Sequence, residues 1–398
     1  MHNLKKIKLF RTVLNISFLP ALILLWLPAL LKKKYKTRHI FLFDRHALGG
    51  AQKVHLDILN SLADEPKLVL FTRFSPNDVL KETFLNVPNT TCKDIHFWCD
   101  NLIFRILYVH YISFYLNSYP KLHIFSSNST FFYDLLPFLR KKHTRTELLH
   151  NFTYGNNGME FFGLANYRQL DHRLCVDYAT AGNIRRQYET YHIPAAYYDK
   201  VQVIEPGVHI PPYPAKPQGT LNILYAGRGG PQKRLHLLNR IAEDCYSQNL
   251  PVVFHFAGSF ADELSEQVKK RSVMYGEVKD SGKMEEIYSQ SHIVLMTSAY
   301  EGFPMLIKEG MAHGCVPVVT ALEGNMTHLT HMENALLIQH VTDEEQVVAE
   351  GFAHISSLVQ DAALYLRLSQ QCYAYAASRF DRKKFTTAYQ AFLNGGKL

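Results

Sequence analysis

The chain has 398 residues, of which 47% are hydrophobic and 20% charged, as in an ordinary globular protein of about two domains. Its formal net charge is +8, but residues 1–40 hold nine Lys and Arg residues and no acidic residue, which leaves 34 basic against 35 acidic residues elsewhere. This distribution, without a zinc-finger, RRM or KH signature, argues against nucleic acid as a partner. Six cysteines without a C-x-x-C pair indicate neither a zinc site nor a disulfide framework, which favours a reducing compartment.

Residues 1–38 are predicted to be a basic and apolar arm that associates with a membrane. Residues 13–31 are nearly all apolar and have basic clusters on both sides. At about 1.5 Å per residue they would just cross a hydrocarbon core of about 30 Å, although Pro20 and Pro28 would kink such a helix. A single span and an interfacial or re-entrant anchor both stay open. The anchor is supported because positive charge at both ends favours keeping both ends on the cytoplasmic side. A cleaved signal peptide is disfavoured because no small-residue cleavage site precedes the second basic cluster.

Residues 39–208 are predicted to form a first α/β domain. A strand at 40–43, a loop containing Gly49 and Gly50, and a helix at 52–62 give the opening unit of a doubly wound fold. A simple tight turn is the alternative for the two glycines. Further strands are predicted at 68–71, 122–125, 148–152, 174–178 and 201–204, alternating with helices.

Two features of this first domain have both a structural and a functional interpretation. The apolar segment 101–119 is predicted to be a core helix or one that faces a membrane or an acceptor. His150 ends a strand, where a histidine is either structural or available to exchange a hydrogen bond with a hydroxyl group.

A proline-rich linker at 211–217 stiffens the connection to a second domain, residues 209–375. That domain opens with a strand at 221–226 and a turn that carries Arg228 and Lys233. Such cations can neutralise the charge that develops on a departing nucleoside diphosphate, although a solvated basic turn is the alternative. A strand at 252–258 ends at Gly258, and a strand at 274–278 and a helix at 284–289 follow.

The stretch from 297 to 314 contains the candidate site with the most chemistry. The apolar run 293–296 predicts a buried parallel strand, and Pro304 and Gly314 suit the two ends of a helix over 304–313. Glu301 lies in the loop before this helix, and Glu309 lies within it. Free N–H groups at the helix start favour anions, while the alternative is that both glutamates are ordinary surface charges. A strand at 316–320, a glycine-containing turn at 323–325 and helices at 364–380 and 382–393 complete the chain.

This stretch resembles the glutamate-x7-glutamate signature of retaining family 4 glycosyltransferases with the GT-B fold. The resemblance spans about residues 39–395, is strongest over 221–325, and rests on Ser298, Glu301, Gly302, Phe303, Pro304, Glu309, Met311, Ala312, Gly314 and the run 317–319. It implies an α/β protein of two Rossmann-like, doubly wound domains that face a cleft. It also implies that a C-terminal helix, within residues 376–398, crosses back to the first domain.

The resemblance implies a role for each candidate residue. Glu309 would bind the ribose hydroxyls of the donor and Glu301 the hydroxyls of its sugar, while Arg228 and Lys233 would neutralise the diphosphate. The remaining donor-site residues would be the backbone of Gly302, Phe303, Pro304 and Met305, the loop glycines Gly49, Gly50 and Gly258, and His150 at the donor sugar. Gly229 and Gly230 replace bulkier residues of the family, and Arg234 stands where glycine is common, which leaves the local geometry of the turn open.

The sequence thus predicts a retaining glycosyltransferase that moves a sugar from a nucleotide sugar to a glycan or lipid-linked acceptor, in cell-envelope polysaccharide or lipopolysaccharide synthesis. No metal or other cofactor is expected, since the chain has no Asp-x-Asp and the two cations can act instead. A front-face reaction is favoured because no motif-borne carboxylate is placed to form a covalent intermediate. A non-catalytic GT-B partner subunit and a GT-B sugar-nucleotide epimerase remain as alternatives.

Overall fold

A computed structural model describes residues 28–29, 32, 34–153 and 158–396. Most of the predicted arm, including residues 1–27, lies outside this range. In the parts of the chain that are described, no helix combines the length and the apolar character needed to span a bilayer.

The chain forms two compact units. The first comprises the described residues up to Glu205 and those from Thr386 onward, and the second comprises Pro206–Phe385. Each unit contains a fully parallel sheet with helices between successive strands, which is the arrangement that alternating strand and helix patterns predict.

The first unit has a seven-stranded sheet in the order β3-β2-β1-β4-β5-β6-β7. Its strands are β1 (His39–Phe43), β2 (Lys67–Phe71), β3 (Thr90–Asp94), β4 (His123–Ser127), β5 (Thr144–Leu149), β6 (His172–Cys175) and β7 (Val201–Val203). Its helices are α1 (Gly50–Ser61), α2 (Lys81–Leu85), α3 (His96–Asp100), α4 (Leu102–Asn117), α5 (Thr130–Leu135), α6 (Met159–Ala165) and α7 (Tyr178–Thr190).

The second unit has a six-stranded sheet in the order β10-β9-β8-β11-β12-β13. Its strands are β8 (Leu221–Ala226), β9 (Val252–Ala257), β10 (Val273–Gly276), β11 (Ile293–Met296), β12 (Val316–Thr320) and β13 (Leu336–Ile338). Its helices are α8 (Leu235–Ser247), α9 (Glu266–Arg271), α10 (Ser281–Gln290), α11 (Met305–Ala312), α12 (Glu323–Met326), α13 (Glu344–Gln360) and α14 (Ala362–Arg379), while α15 (Arg382–Leu393) begins here and ends in the first unit.

Several predicted elements have different bounds in the structure. The strand predicted at 148–152 is β5, which begins earlier and ends at Leu149, because Thr144 to Glu147 also pair with β4. The strand predicted at 174–178 ends at Cys175, since Asp177 caps helix α7 by accepting a hydrogen bond from the Thr180 N–H at 2.6 Å. The turn predicted at 323–325 is the short helix α12.

The cores around the two sheets are mainly apolar, but the first unit contains a fully buried ion pair. Arg173 on β6 and Glu147 on β5 are each 1% exposed and form an ion pair in register across the two strands. Tyr133 donates a hydrogen bond to Glu147 at 2.6 Å, and Arg173 donates one to the Tyr188 hydroxyl at 3.0 Å. Burial and the Glu147 carboxylate raise the pKa of Tyr133. These contacts satisfy both charges within the protein interior.

Candidate active site

The predicted cations lie in the turn between β8 and α8. Within the described residues the Arg228 side chain makes no ion pair or hydrogen bond and is exposed, while its carbonyl oxygen accepts a hydrogen bond from the Tyr225 hydroxyl at 2.7 Å. Lys233 is near the end of the turn, and the next residue, Arg234, has a left-handed backbone with φ +47°. The turn therefore presents the Arg228 guanidinium to solvent, whereas the Lys233 and Arg234 side chains make contacts within the protein.

Several hydrogen bonds hold this turn against the loop that follows β11. The Ala299 N–H donates to the Gln232 carbonyl at 2.8 Å, and the Gln232 side-chain amide donates to the Tyr300 carbonyl at 2.9 Å. The Thr297 hydroxyl donates to the Arg234 carbonyl at 3.0 Å. Because β8 and β11 are neighbouring parallel strands, their carboxyl ends bring the turn and the loop to the same edge of the sheet.

Lys233 and Glu301 form an ion pair across this junction. The Lys233 ammonium also donates a hydrogen bond to the Glu301 carboxylate, and the two side chains are 19% and 11% exposed. The structure thus brings the predicted phosphate-binding lysine and the predicted sugar-binding glutamate into direct contact. A donor that bound to both groups would replace, at least in part, a contact that they already make with each other.

Glu309 lies on α11, the helix that follows the Glu301 loop, and its partner is a tyrosine instead of a lysine. It is half-buried on α11, and its carboxylate accepts a hydrogen bond from the Tyr288 hydroxyl at 2.6 Å. Burial, with the Glu309 charge adding to it, raises the pKa of Tyr288 well above its ordinary value, so the phenol stays protonated and donates. Among the described residues, the second Glu309 oxygen has no hydrogen-bond partner. Sequence reasoning did not identify Tyr288, because its position on α10 carries no signal of a partner 21 residues away.

The backbone from Gly302 to Met305 leads into α11. Pro304 lies at the cap position, Met305 is the first helical residue, and Phe303 is buried with its ring 4.5 Å from that of His328 and 5.5 Å from that of Phe380. The helix is therefore one residue shorter at each end than the predicted 304–313. The Phe303 side chain belongs to the core, so its predicted contribution to a donor site falls on its backbone.

Close contacts with neighbouring backbone explain why glycine occupies positions 258 and 324, at the same edge of the sheet. A Cβ on Gly258, whose φ is +143°, would lie 1.8 Å from the Gly227 carbonyl oxygen. A Cβ on Gly324 would lie 1.8 Å from the Gly302 carbonyl oxygen. Any side chain at either position would push a neighbouring loop out of place. Gly258 was predicted as a donor-site residue, and the structure places it against the turn that carries Arg228.

The remaining predicted residues, His150, Gly49 and Gly50, lie in the first unit. His150 Nε2 is 3.0 Å from the Ser127 hydroxyl oxygen and 3.1 Å from Nε2 of His55, whose ring stacks on Phe43. Burial lowers the pKa of His150 to about 4 and lowers that of His55 well below its ordinary value. Two neutral imidazoles can share one N–H between facing nitrogens.

Sequence reasoning missed His55, although its place on the buried face of α1 was a possible signal. Gly50 begins that helix, and a Cβ on Gly49 would lie 2.5 Å from Oε1 of Gln52. Gly49 therefore packs at the start of α1, whereas Gly50 is exposed and has open space around the position of a Cβ. His55 lies further along the same helix.

Among the residues that the structure describes, no group of three or more His, Cys, Asp and Glu residues is placed to hold a metal ion. The expectation that no metal takes part remains a prediction.

The two parallel-sheet units and the sites at their strand ends define an α/β protein similar to GT-B glycosyltransferases. Residues 210–375 match the family model described as glycosyl transferases group 1. No curated protein sequence matches the chain.

Solved structures support the same fold. HepE of Anabaena in complex with UDP has a TM-score of 0.70 at 16% identity, covering 90% of this chain and 100% of that chain. The lipopolysaccharide outer core galactosyltransferase WaaB has a TM-score of 0.65 at 16% identity, covering 89% and 99%. A mutant of S. aureus TarM, in complex with Fondaparinux, alpha-GlcNAc-glycerol and UDP, has a TM-score of 0.64 at 12% identity, covering 90% and 100%. At these identities the similarity establishes the fold alone.

Proposed function

We propose that this chain is a retaining, metal-independent glycosyltransferase that uses a nucleotide sugar and a glycan or lipid-linked acceptor. The observation that carries the proposal is the contact between Lys233 and Glu301, with the exposed Arg228 in the same turn as Lys233, inside the segment that matches the glycosyl transferase model. A cation for the leaving group and a carboxylate for the sugar are the two groups that sugar transfer from a diphosphate requires at one place.

The proposed chemistry begins with the charge of the donor. Arg228 is exposed and meets a diphosphate oxygen without losing a side-chain partner among the residues that the structure describes. Lys233 is partly neutralised by Glu301 before the donor binds, and the ion pair opens as the ammonium turns to the phosphate and the carboxylate accepts a sugar hydroxyl. As the bond between sugar and phosphate breaks, the charge on the diphosphate grows and both cations stabilise it more strongly than they stabilise the bound substrate.

Glu309 and Tyr288 form the proposed ribose contact. One carboxylate oxygen is occupied by the Tyr288 hydroxyl at 2.6 Å, and that bond fixes the carboxylate so that the other oxygen accepts from a ribose hydroxyl. The donor is proposed to be a UDP sugar, supported by the complex of HepE with UDP-glucose, a structure with a TM-score of 0.68 to this chain. The sugar itself is not assigned.

The other parts of the proposal follow from the sequence. The acceptor is proposed to be a cell-envelope polysaccharide or lipopolysaccharide intermediate, supported by the basic and apolar character of residues 1–38 and by the similarity to WaaB. The arm would keep the enzyme at the cytoplasmic face of the membrane. Transfer is proposed to occur on one face of the sugar, with a diphosphate oxygen taking the proton of the acceptor hydroxyl, so that the anomeric configuration is retained.

A ligand screen followed by product analysis tests this function. Thermal unfolding of the full chain is measured with UDP, UDP-glucose and other UDP and GDP sugars, because a ligand at 100 times its Kd adds about 2.7 kcal/mol to stability. We expect a UDP sugar to raise the Tm of the wild type and to have much less effect on Glu309→Gln. NMR of the transfer product should then give an unchanged anomeric configuration. A Tm that no nucleotide sugar alters, with no transfer to membrane extracts, would favour a non-catalytic partner subunit.

A further inference from the structure

The Arg234 side chain makes hydrogen bonds beyond those needed to form the turn between β8 and α8. It is the cap residue of α8 and is only 8% exposed. Its guanidinium donates to the Thr297 carbonyl at 2.7 Å, to the Ser298 carbonyl at 3.1 Å and to the Val341 carbonyl at 2.8 Å. One side chain therefore ties the turn that carries Lys233 to the end of β11 and to the segment after β13.

The partners of this guanidinium are carbonyl groups. Burial lowers the pKa of Arg234, and the charge of Glu344 opposes that effect weakly. A planar guanidinium offers N–H donors in fixed directions, so three converging carbonyls fix its position and orientation. The ammonium of a lysine lacks this fixed geometry and would be held less firmly. The charge is retained because the carbonyl dipoles satisfy it within the protein.

The backbone conformation at position 234 disfavours arginine. Its φ of +47° and ψ of +50° are left-handed, a conformation that favours glycine and that other residues adopt at a cost. The chain has another such residue in the same unit, Asn249 with φ +53°, but Asn249 is exposed and lies beyond the end of α8. Asn enters this conformation more readily than arginine. The contacts of the Arg234 side chain offset the unfavourable backbone.

We infer that Arg234 is a positioning residue that holds Lys233 and Glu301 in register, an inference that rests on the proposed transfer reaction. The Thr297 hydroxyl donates to the Arg234 carbonyl while Arg234 Nε donates to the Thr297 carbonyl, so the two segments are bonded reciprocally. Glu301 lies four residues beyond Thr297, and Lys233 is the neighbour of Arg234. Loss of the guanidinium removes its hydrogen bonds to the Thr297 and Ser298 carbonyls and so loosens the junction between the turn that carries Lys233 and the loop that carries Glu301.

The effect should fall on turnover more than on donor binding. Arg234 is buried and its guanidinium donates to three backbone carbonyls, so it is not placed as a direct ligand of the donor. A small displacement of a charge that acts on the developing diphosphate lowers kcat by about 10- to 100-fold, whereas the ground-state contacts of the donor adjust to it.

Four forms of the full chain test the inference: wild type, Arg234→Gly, Arg234→Lys and Asn249→Gly. Arg234→Gly keeps the left-handed backbone and removes all three contacts, Arg234→Lys keeps the charge with fewer donors, and Asn249→Gly is the matched control for backbone relief alone. With UDP-glucose as the donor, we expect kcat to fall about 10- to 100-fold in Arg234→Gly with KM changed less than about threefold, partial recovery in Arg234→Lys, and no change in Asn249→Gly.

A second readout does not depend on transfer. The rate at which formaldehyde and cyanoborohydride methylate Lys233 is followed by mass spectrometry of its peptide. We expect this rate to rise about tenfold in Arg234→Gly and less in Arg234→Lys, because the ion pair with Glu301 opens more often. An unchanged methylation rate in a folded Arg234 variant overturns the inference.

Wild-type turnover in Arg234→Gly also overturns the inference and leaves the proposed function intact. Absence of transfer in the wild type contradicts the proposed function, and the methylation rates then decide the role of Arg234. If Arg234→Gly does not fold, the rate in Arg234→Lys decides: an increase supports positioning, and a wild-type rate refutes it.

Discussion

Replacement of Lys233 by methionine tests the ion pair at the centre of the proposed site. Methionine keeps the length of the side chain and removes the charge. The pair with Glu301 is largely buried, with 19% and 11% of the two side chains exposed, so the loss of one partner is expected to lower the free energy of unfolding by about 2 kcal/mol. The effect on catalysis should be larger, because a preorganised charge on a developing anion is worth about 3–4 kcal/mol. We therefore expect kcat/KM for the UDP sugar to fall by about 10²- to 10³-fold.

The assay is initial-rate kinetics of the purified full chain, with Tm measured in parallel. Lys269→Met is the matched control, since Lys269 pairs with Glu266 on α9 at 2.8 Å and Glu266 is 76% exposed. That exposed pair should contribute little to stability, and its loss should leave kcat/KM unchanged.

A double-mutant cycle with Glu301→Gln separates the two uses of the pair. If the contact only stabilises the fold, the double variant should recover both Tm and turnover relative to Lys233→Met. If both groups act on the donor, turnover should stay low in the double variant even where Tm recovers. Turnover of Lys233→Met within about threefold of the wild type, at an unchanged KM, would refute a role for Lys233 in transfer.

Three further predictions follow from particular contacts. Tyr288→Phe removes the hydrogen bond that fixes Glu309, so the Kd for UDP measured by titration calorimetry should rise about 5- to 15-fold, and an unchanged Kd would separate Glu309 from the ribose contact. Arg173→Met leaves the Glu147 charge buried alone and should lower the unfolding free energy in urea by about 3–5 kcal/mol, whereas Arg173→Met with Glu147→Leu should cost much less; equal losses would contradict the pairing. The pKa of His150 is about 4 in the folded chain, against an ordinary value of 6.5, so the unfolded chain binds the proton first as the pH falls. The stabilising contribution that is present above pH 6.5 should therefore be lost as the pH falls towards 4. His150→Gln should flatten this part of the stability-against-pH curve, and a slope equal to that of the wild type would refute it.

Much of the fold was predictable from local patterns in the chain. Continuous apolar runs such as Ile293–Met296 indicate strands buried on both faces, and their alternation with helices indicates parallel sheets. The edge strand Thr90–Asp94 was missed because it is polar and only half-buried, so it lacks that pattern. Likewise, Asp177 acts as a helix cap, which shortened a strand that composition alone extended to Tyr178.

The candidate site, like the fold, was predictable from the sequence only in part. The sequence by itself determined which groups are available: Arg228, Lys233 and Glu301 stand in a turn and a loop that follow strands, and Glu309 stands on the next helix, at spacings that resemble a known signature. It did not determine how they pair. The contact of Lys233 with Glu301 spans 68 residues, and local periodicity carries no information over that distance.

Only the tertiary structure decided the partners and the supporting contacts. His55 and His150, whose Nε2 atoms are in contact, lie 95 residues apart in sequence, and the carbonyls that hold Arg234 come from two separate segments. In a parallel sheet, strands distant in the chain end side by side, so the side chains that follow them meet through strand order and register. Residue types and spacing therefore determined the available chemistry, and the packing of β8 against β11 decided which of these groups touch.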